Sequence, residues 1–260
     1  MEYKDLLESH SKYGTTKEDI RIKRGYEKVL KNVVIAPWWK HEIFDILNYK
    51  MEELNDHVYN FYGEETSFTF IEIRSIGAPA LVEYLMPLGV TDVENIIFIG
   101  SVGSLDESIK IGDLVIPEYS LVGDGSSRYF NDNFEDEFMK KKYPSENITN
   151  KLIDVLKKEN YEYHIVPNFS TDTIFGQFIH LDQMMEEGAR VIEMETACLF
   201  KCNEILKRNI TALFCVSDNT VINKSVYSGR TDEEEELRHK VRYNIMPNII
   251  VKTFIEMEKE

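Results

Sequence analysis

Short runs of consecutive apolar residues, many of them β-branched, recur along the chain, and each is closed by turn-forming residues. They cover residues 32–35, 67–73, 95–99, 114–116, 163–166, 190–193 and 211–216. Apolar residues at successive rather than alternating positions suit strands buried on both faces. Between these runs the pattern changes to the helical period, over 80–88, 148–159, 181–187, 196–207 and 233–258, the last predicted to kink or break at Pro247. Strands alternating with helices predict an α/β fold, a three-layer α/β/α sandwich around a mixed, largely parallel central sheet. No repeat, low-complexity stretch or Pro/Gly/Ser linker divides the 260 residues. The expected unit is therefore one domain, 1–260, with 1–30 as an N-terminal extension.

Composition narrows the class. An apolar share of 43% is enough for a sizeable core. Thirty Lys and Arg face 46 Asp and Glu, a net charge of −16, which argues against a nucleic-acid partner, since phosphate backbones need a basic face. A local pocket can still hold a small anion. No stretch of about 18 apolar residues is present to span a membrane, and the start, Met1-Glu-Tyr-Lys-Asp5, lacks the apolar core of a signal peptide. Cys198, Cys202 and Cys215 are too few for a disulfide framework and read as buried free thiols rather than a metal or redox pair. A soluble protein of a reducing compartment, the cytoplasm, is the expectation, with no metal.

Three segments carry candidate chemistry. In Ile99-Gly-Ser-Val-Gly103, directly after a strand, Gly100 and Gly103 free the backbone to approach a ligand and Ser101 adds a hydroxyl. The segment reads either as a cradle for phosphate or a sugar oxygen, or as a tight strand-to-helix turn. In Val191-Ile-Glu-Met-Glu-Thr-Ala197 two carboxylates, Glu193 and Glu195, stand at i, i+2 where a strand gives way to a helix, the spacing of one strand face. Helix capping is the alternative to a ligand role. In Val216-Ser217-Asp218, an aspartate at the end of an apolar run either caps a helix or donates a proton to a heterocycle.

In order and spacing, these segments together with Gly112-Asp-Leu-Val-Ile-Pro117 resemble the nucleoside phosphorylase family of purine nucleoside phosphorylases, uridine phosphorylases and methylthioadenosine/S-adenosylhomocysteine nucleosidases. The segment Asn168–Phe175 is similar to the base-lining stretch of the hexameric purine enzymes. The resemblance implies that Glu195 accepts hydrogen bonds from the ribose hydroxyls, with Glu193 beside it and Met194 packed under the sugar. It implies that Asp218 protonates the leaving base, with Ser217 next to it. Ile174 and Phe175 are expected to stack on the base, and Gly100 and Ser101 to help bind phosphate. The implied reaction is phosphorolysis of a purine nucleoside to free base and ribose 1-phosphate, with inorganic phosphate as co-substrate and no cofactor. A homo-oligomer, a dimer or a trimer of dimers, is implied as well. The alternatives are a hydrolytic nucleosidase and a nucleoside-binding protein without catalysis.

The sequence departs from that family where phosphate binds. The early phosphate loop, with glycine, aspartate, proline and arginine in the family, reads Ile-Ala-Pro-Trp-Trp-Lys-His over 35–41, and the arginine expected two residues before Gly100 is Phe98. Lys40 or Arg74 is the candidate replacement, with a surface ion pair as the alternative for Arg74. Arg230 or Arg238 is expected to assist Asp218, and His10 is the candidate for the histidine that a neighbouring subunit lends in the family. Trp38 and Trp39 read as core or subunit contacts, with ligand stacking as the alternative.

Overall fold

Nearly every buried apolar run becomes a strand and every 3.6-residue stretch a helix in a computed structural model that describes residues 1–259. The N-terminal part comprises α1 (Tyr3–Lys12), α2 (Lys17–Arg24), β1 (Asn32–Pro37), β2 (Lys50–Asn55), β3 (Val58–Tyr62), β4 (Ser67–Ile73) and α3 (Ala78–Leu85). Then come β5 (Asn95–Ser104), β6 (Leu114–Gly123), β7 (Lys141–Lys142), α4 (Glu146–Lys158), β8 (His164–Thr171) and α5 (Leu181–Glu186). The chain continues through β9 (Val191–Glu193), α6 (Thr196–Leu206), β10 (Asn209–Asn219), α7 (Asp232–Lys240) and α8 (Met246–Met257).

Strand β5 explains the uninterrupted apolar runs. Its Ile96 and Phe98 enter a core with Val33, Phe214 and the α3 and α6 residues Leu85 and Leu199. Its Ile97 and Ile99 enter a second core on the other side, with Val34, Leu213, the α4 residue Leu152 and the α8 residue Phe254. Helices therefore cover both faces, and burial on both faces removes the need for a polar alternate position. The sheet is mixed: β1 pairs in parallel with β4 and β5, and β5 with β10. The N-terminal helices rest on the same scaffold, where the Tyr3 hydroxyl donates to the Met86 carbonyl at 2.7 Å.

Three features differ from the sequence expectation. First, the predicted turns at Gly100–Gly103 and Ser217–Asp218 lie inside strands. Both segments stay paired, Ser101 opposite Cys215 and Gly103 opposite Asp218, so β5 and β10 run on past the apolar stretch. The extensions let the sheet close: β5 pairs with β10, β10 with β6, β6 with β8, β8 with β9, and β9 with β5. Second, the hairpin β2–β3 was not expected, because β2 is an edge strand with exposed polar side chains and no apolar run. Third, the C-terminal helix is interrupted by a π turn over Val241–Ile245, ahead of the proline. Pro247 falls in the first turn of α8, where its missing N–H is not needed. The three cysteines are buried and free. Among the described residues no helix is long and apolar enough to cross a membrane.

Phe98 is fully buried with its ring 6.0 Å from that of Phe214, so the arginine that the resemblance places there has no room or partner. Phe98→Arg is expected to destabilise the protein by roughly 3–5 kcal/mol through burial of an unpaired cation, whereas Phe98→Leu costs about 1 kcal/mol. Urea denaturation monitored by circular dichroism measures both. Equal stability of Phe98→Arg and wild type would show that this position does not belong to the core.

Candidate active site

The carboxyl ends of β1, β5, β8, β9 and β10 converge on a cavity of about 380 Å³, the position at which α/β sheets place ligands. Its walls include Trp38 and Trp39 after β1, Ser101 and Gly103 of β5, Ile174 and Gln177 after β8, Met194 and Glu195, Ser217 and Asp218 of β10, and Arg242 of the π turn.

The β9–α6 junction gives the two glutamates different tasks. Strand β9 stops at Glu193, whose side chain turns back onto the helix start: Oε2 accepts from the Glu195 and Thr196 amides, both at 2.8 Å. Oε1 accepts from Asn168 Nδ2 at 2.7 Å, from the Thr196 hydroxyl at 2.9 Å and from the Ser170 hydroxyl. Burial raises its carboxyl above the ordinary range, and these donors oppose the rise. Its carboxylate, which edges the cavity, is thus engaged within the protein, and it caps α6 as the sequence alternative allowed. Glu195 is 5% exposed and accepts from the Gly77 amide at 2.5 Å. Burial, then the neighbouring charge of Glu193, pushes its carboxyl up to about 8. Gly77 sits at φ 90° at the N-terminus of α3, a conformation that favours glycine and aims the amide at Glu195.

At the end of β10, Asp218 is 7% exposed, and burial raises its carboxyl above the ordinary range. The Ser217 hydroxyl donates to Asp218 Oδ1 at 2.6 Å, and Arg230 Nη1 donates to the Ser217 carbonyl at 2.9 Å. Both oppose the rise without cancelling it. A Cβ on Gly103 would stand 3.0 Å from Asp218 Oδ2, so glycine here gives the carboxyl its space. Of the two candidate assistants, Arg230 is the one bonded to the Ser217–Asp218 backbone; Arg238 pairs with Glu235.

Most of the expected residues come together: Ser101, Ile174, Glu193, Met194, Glu195, Ser217 and Asp218 all line the cavity. Three do not. Arg74 is half exposed and pairs with Asp56 at 2.8 Å, the surface ion pair named as its alternative. Phe175, 85% exposed, points away because the chain turns into a short 3-10 helix at Gly176. Gly100 faces the Phe214 ring inside the sheet. Lys40 and His10 also lie outside the lining. Arg242 and Gln177 line the cavity without any sequence signal to mark them. Trp38 and Trp39 line it as well, and Trp39, 4% exposed, packs in the core as the sequence reading expects.

Fold and site define an α/β enzyme with a small-ligand cavity at its strand ends, lined by the buried acids Glu195 and Asp218. The family model of the phosphorylase superfamily matches residues 66–255, and the chain belongs to that superfamily. It is 24% identical over 200 residues to a uridine phosphorylase of Thermococcus kodakarensis, covering 70% of this chain and 67% of the relative. It is 22% identical over 171 residues to a guanosine phosphorylase of Halorubrum lacusprofundi, covering 65% and 68%. The crystal structure of a uridine phosphorylase from Vibrio fischeri superimposes with a TM-score of 0.70 at 17% identity, covering 90% of this chain and 94% of that one.

The raised carboxyl of Glu195 has a thermodynamic signature. Between the ordinary 4.5 and about 8 the folded state holds a proton that the unfolded chain has released, so stability falls as pH rises through that window. Glu195→Gln is expected to flatten that fall and to equal or exceed wild-type stability at pH 8. Glu193→Gln, which sets an amide NH2 against a ring of donors, is expected to cost about 2–3 kcal/mol at any pH in that window. Urea titrations at a series of pH values measure both, and a Glu195→Gln curve parallel to wild type would rule out the buried proton.

Proposed function

We propose that the protein cleaves the N-glycosidic bond of a purine nucleoside with inorganic phosphate, giving free base and ribose 1-phosphate. The observation that carries this reading is Asp218, a carboxyl that burial raises above its ordinary range and that lines the same cavity as Glu195. A departing purine needs a proton at a ring nitrogen, and a positioned acid typically contributes about 10²–10⁴-fold to such a step. The C1′–N bond breaks, the Asp218 proton moves to the base, a phosphate oxygen bonds to C1′, and Asp218 regains its proton from solvent. Glu195 accepts from the ribose hydroxyls; those donors favour its ionised form, which then faces the cationic sugar of the transition state. Met194 packs under the sugar ring, and Ile174 and Gln177 border the base.

The superfamily and the names of both relatives support phosphorolysis, and the purine preference rests on Asp218. The proposal includes an assembly of copies, a dimer or trimer of dimers, in keeping with the exposed apolar side chains of Trp38 and Ile76 at the cavity and of Phe175 beyond it. One observation favours a second reading, hydrolysis: the positions of two expected cations hold a core phenylalanine and a tryptophan pair.

A panel of inosine, guanosine, adenosine and uridine, assayed with and without phosphate for ribose 1-phosphate against free ribose, separates the readings. Phosphate-dependent ribose 1-phosphate from a purine nucleoside is the expected result, and free ribose at a rate indifferent to phosphate would select hydrolysis. Asp218→Asn is expected to slow purine cleavage by at least about 100-fold while retaining nucleoside binding. A 7-methylated nucleoside, which leaves without ring protonation, should lose much less; equal losses would make Asp218 a structural residue.

A further inference from the structure

Arg242 is the only cationic residue among the described residues that lines the cavity, and the sequence gives it no role. It is the second residue of the π turn Val241–Ile245. Such turns shift one side chain out of the α-helical path and concentrate at functional sites. Here the shift sets the guanidinium over the Trp39 ring, 4.1 Å from its centre, and Trp39 is only 4% exposed.

Its charge is uncompensated. Among the described residues no carboxylate forms an ion pair with Arg242, and its Nε is buried without a hydrogen-bond partner. The acid nearest this group, Glu235 of α7, is already taken by Arg230 at 2.7 Å and by Arg238 at 2.5 Å. Arg238 adds a like charge; of the other titratable neighbours, Tyr243 sets its ring 5.8 Å from the guanidinium, and Cys215 of β10 has its thiol pushed up to about 12 by burial and so brings no charge. Arg230 and Arg238 thus share the Glu235 carboxylate and leave Arg242 without a paired acid, in a protein of net charge −16. An aromatic face offsets only part of the cost of a buried cation.

A hydroxyl stands on the same side of the sheet. Ser101 follows Ile97 and Ile99 on the face of β5 that meets Trp39, and it is paired in register with Cys215. Among the described residues its hydroxyl has no protein partner. A forked cation and a free hydroxyl bordering one cavity match the oxygens of a phosphate dianion. The other candidate cations stand elsewhere: Arg74 pairs with Asp56, Lys40 lies outside the cavity lining, and position 98 is a buried phenylalanine.

Resting on the phosphorolytic reading, we infer that Arg242, delivered by the π turn and held flat by Trp39, supplies with Ser101 the phosphate subsite of this enzyme. It takes the part of the cations that are absent at Phe98 and in residues 35–41. The anion is inorganic phosphate; a phosphate ester on the nucleoside itself presents the same chemistry and is separated by the assay.

The test compares wild type, Arg242→Gln, Arg242→Lys and Arg74→Ala, using steady-state kinetics in both substrates and calorimetric titration of inorganic phosphate without nucleoside. Arg242→Gln is expected to raise the phosphate KM and Kd about 10- to 100-fold, the loss of one or two charge-assisted bonds, with the nucleoside KM within about threefold. Arg242→Lys keeps a point charge without fork or stack and should fall between; free guanidinium should partly restore Arg242→Gln, and Arg74→Ala should follow wild type. A folded Arg242→Gln with wild-type phosphate KM and Kd would overturn the inference, as would proportional losses in both substrates or a phosphate defect in Arg74→Ala. If Arg242→Gln does not fold, Arg242→Lys with unchanged phosphate affinity overturns it in the same way. A wild type that prefers a nucleoside 5′-monophosphate, with Arg242→Gln abolishing that preference, would also overturn it. Should wild type neither need nor bind phosphate, the phosphorolytic reading itself falls, and this inference with it. Phosphate-dependent turnover untouched by Arg242→Gln removes the subsite assignment alone.

Discussion

The carboxylate of Glu193 is the pin of the site. It binds side chains from β8 and the first amides of α6, and the Thr196 and Asn168 groups it holds reach on to Ser120 of β6. Three strands and a helix start thereby meet at one buried carboxyl. Low local dielectric makes such a network stiff when every donor is used and costly when one is not. Its product is direction. With Glu193 folded back onto the helix, the next two residues are fixed, and Met194 and Glu195 face the cavity.

The same carboxyl sets the chemistry of its neighbour. Glu195 lies at the start of α6 and receives the Gly77 amide at the start of α3, and helix starts normally favour an ionised carboxyl. Burial and the fixed charge of Glu193 outweigh them, and the carboxyl moves up. Asp218 is moved the same way by burial alone, with no acid beside it. The empty cavity therefore carries less negative charge than its three carboxyls suggest, despite the acidic composition of the whole chain. Overall charge speaks to non-specific partners; pocket charge is set by what each carboxyl touches.

Legibility in the sequence followed the range of the interactions. Strands buried on both faces were readable because each shows as a local run of apolar residues, as at Ile96–Ile99. Glu195 and Asp218 stand where such runs end, but the runs alone leave helix capping open for both, and it is the family resemblance that singles them out. The closing of the sheet was not, since it depends on β5 meeting both β9 and β10, far apart in sequence. Gly100 and Gly103 read as a turn because glycine is a turn former, yet the ladder to β10 holds both extended, and β9 pairs with Gly103 from the other side. Arg242 gave no signal at all: in Lys240-Val-Arg-Tyr243 it looks like any solvent-facing helix residue, and only the π turn and Trp39 distinguish it. Phe175 failed for the opposite reason, an aromatic in an apt segment that local backbone turns outward.

The position of Asp218 shows how small the controlling irregularity is. Along β10, Phe214 and Val216 enter one core and Cys215 the other, in strict alternation. The register with β5 then slips: Val216 is paired with Val102, but Gly103 is paired with Asp218, leaving Ser217 as the extra residue. A bulge of this kind bends the strand and re-aims the side chains after it. Ser217 turns its hydroxyl onto Asp218 and the Val102 carbonyl, while its own carbonyl takes Arg230. The side chain of Asp218 then fits beside the glycine at 103, where any Cβ would crowd it. An acid at the end of an unbulged strand would lie with the core or with solvent. One inserted residue and one absent Cβ together leave Asp218 desolvated enough for its carboxyl to be raised and still open to the cavity.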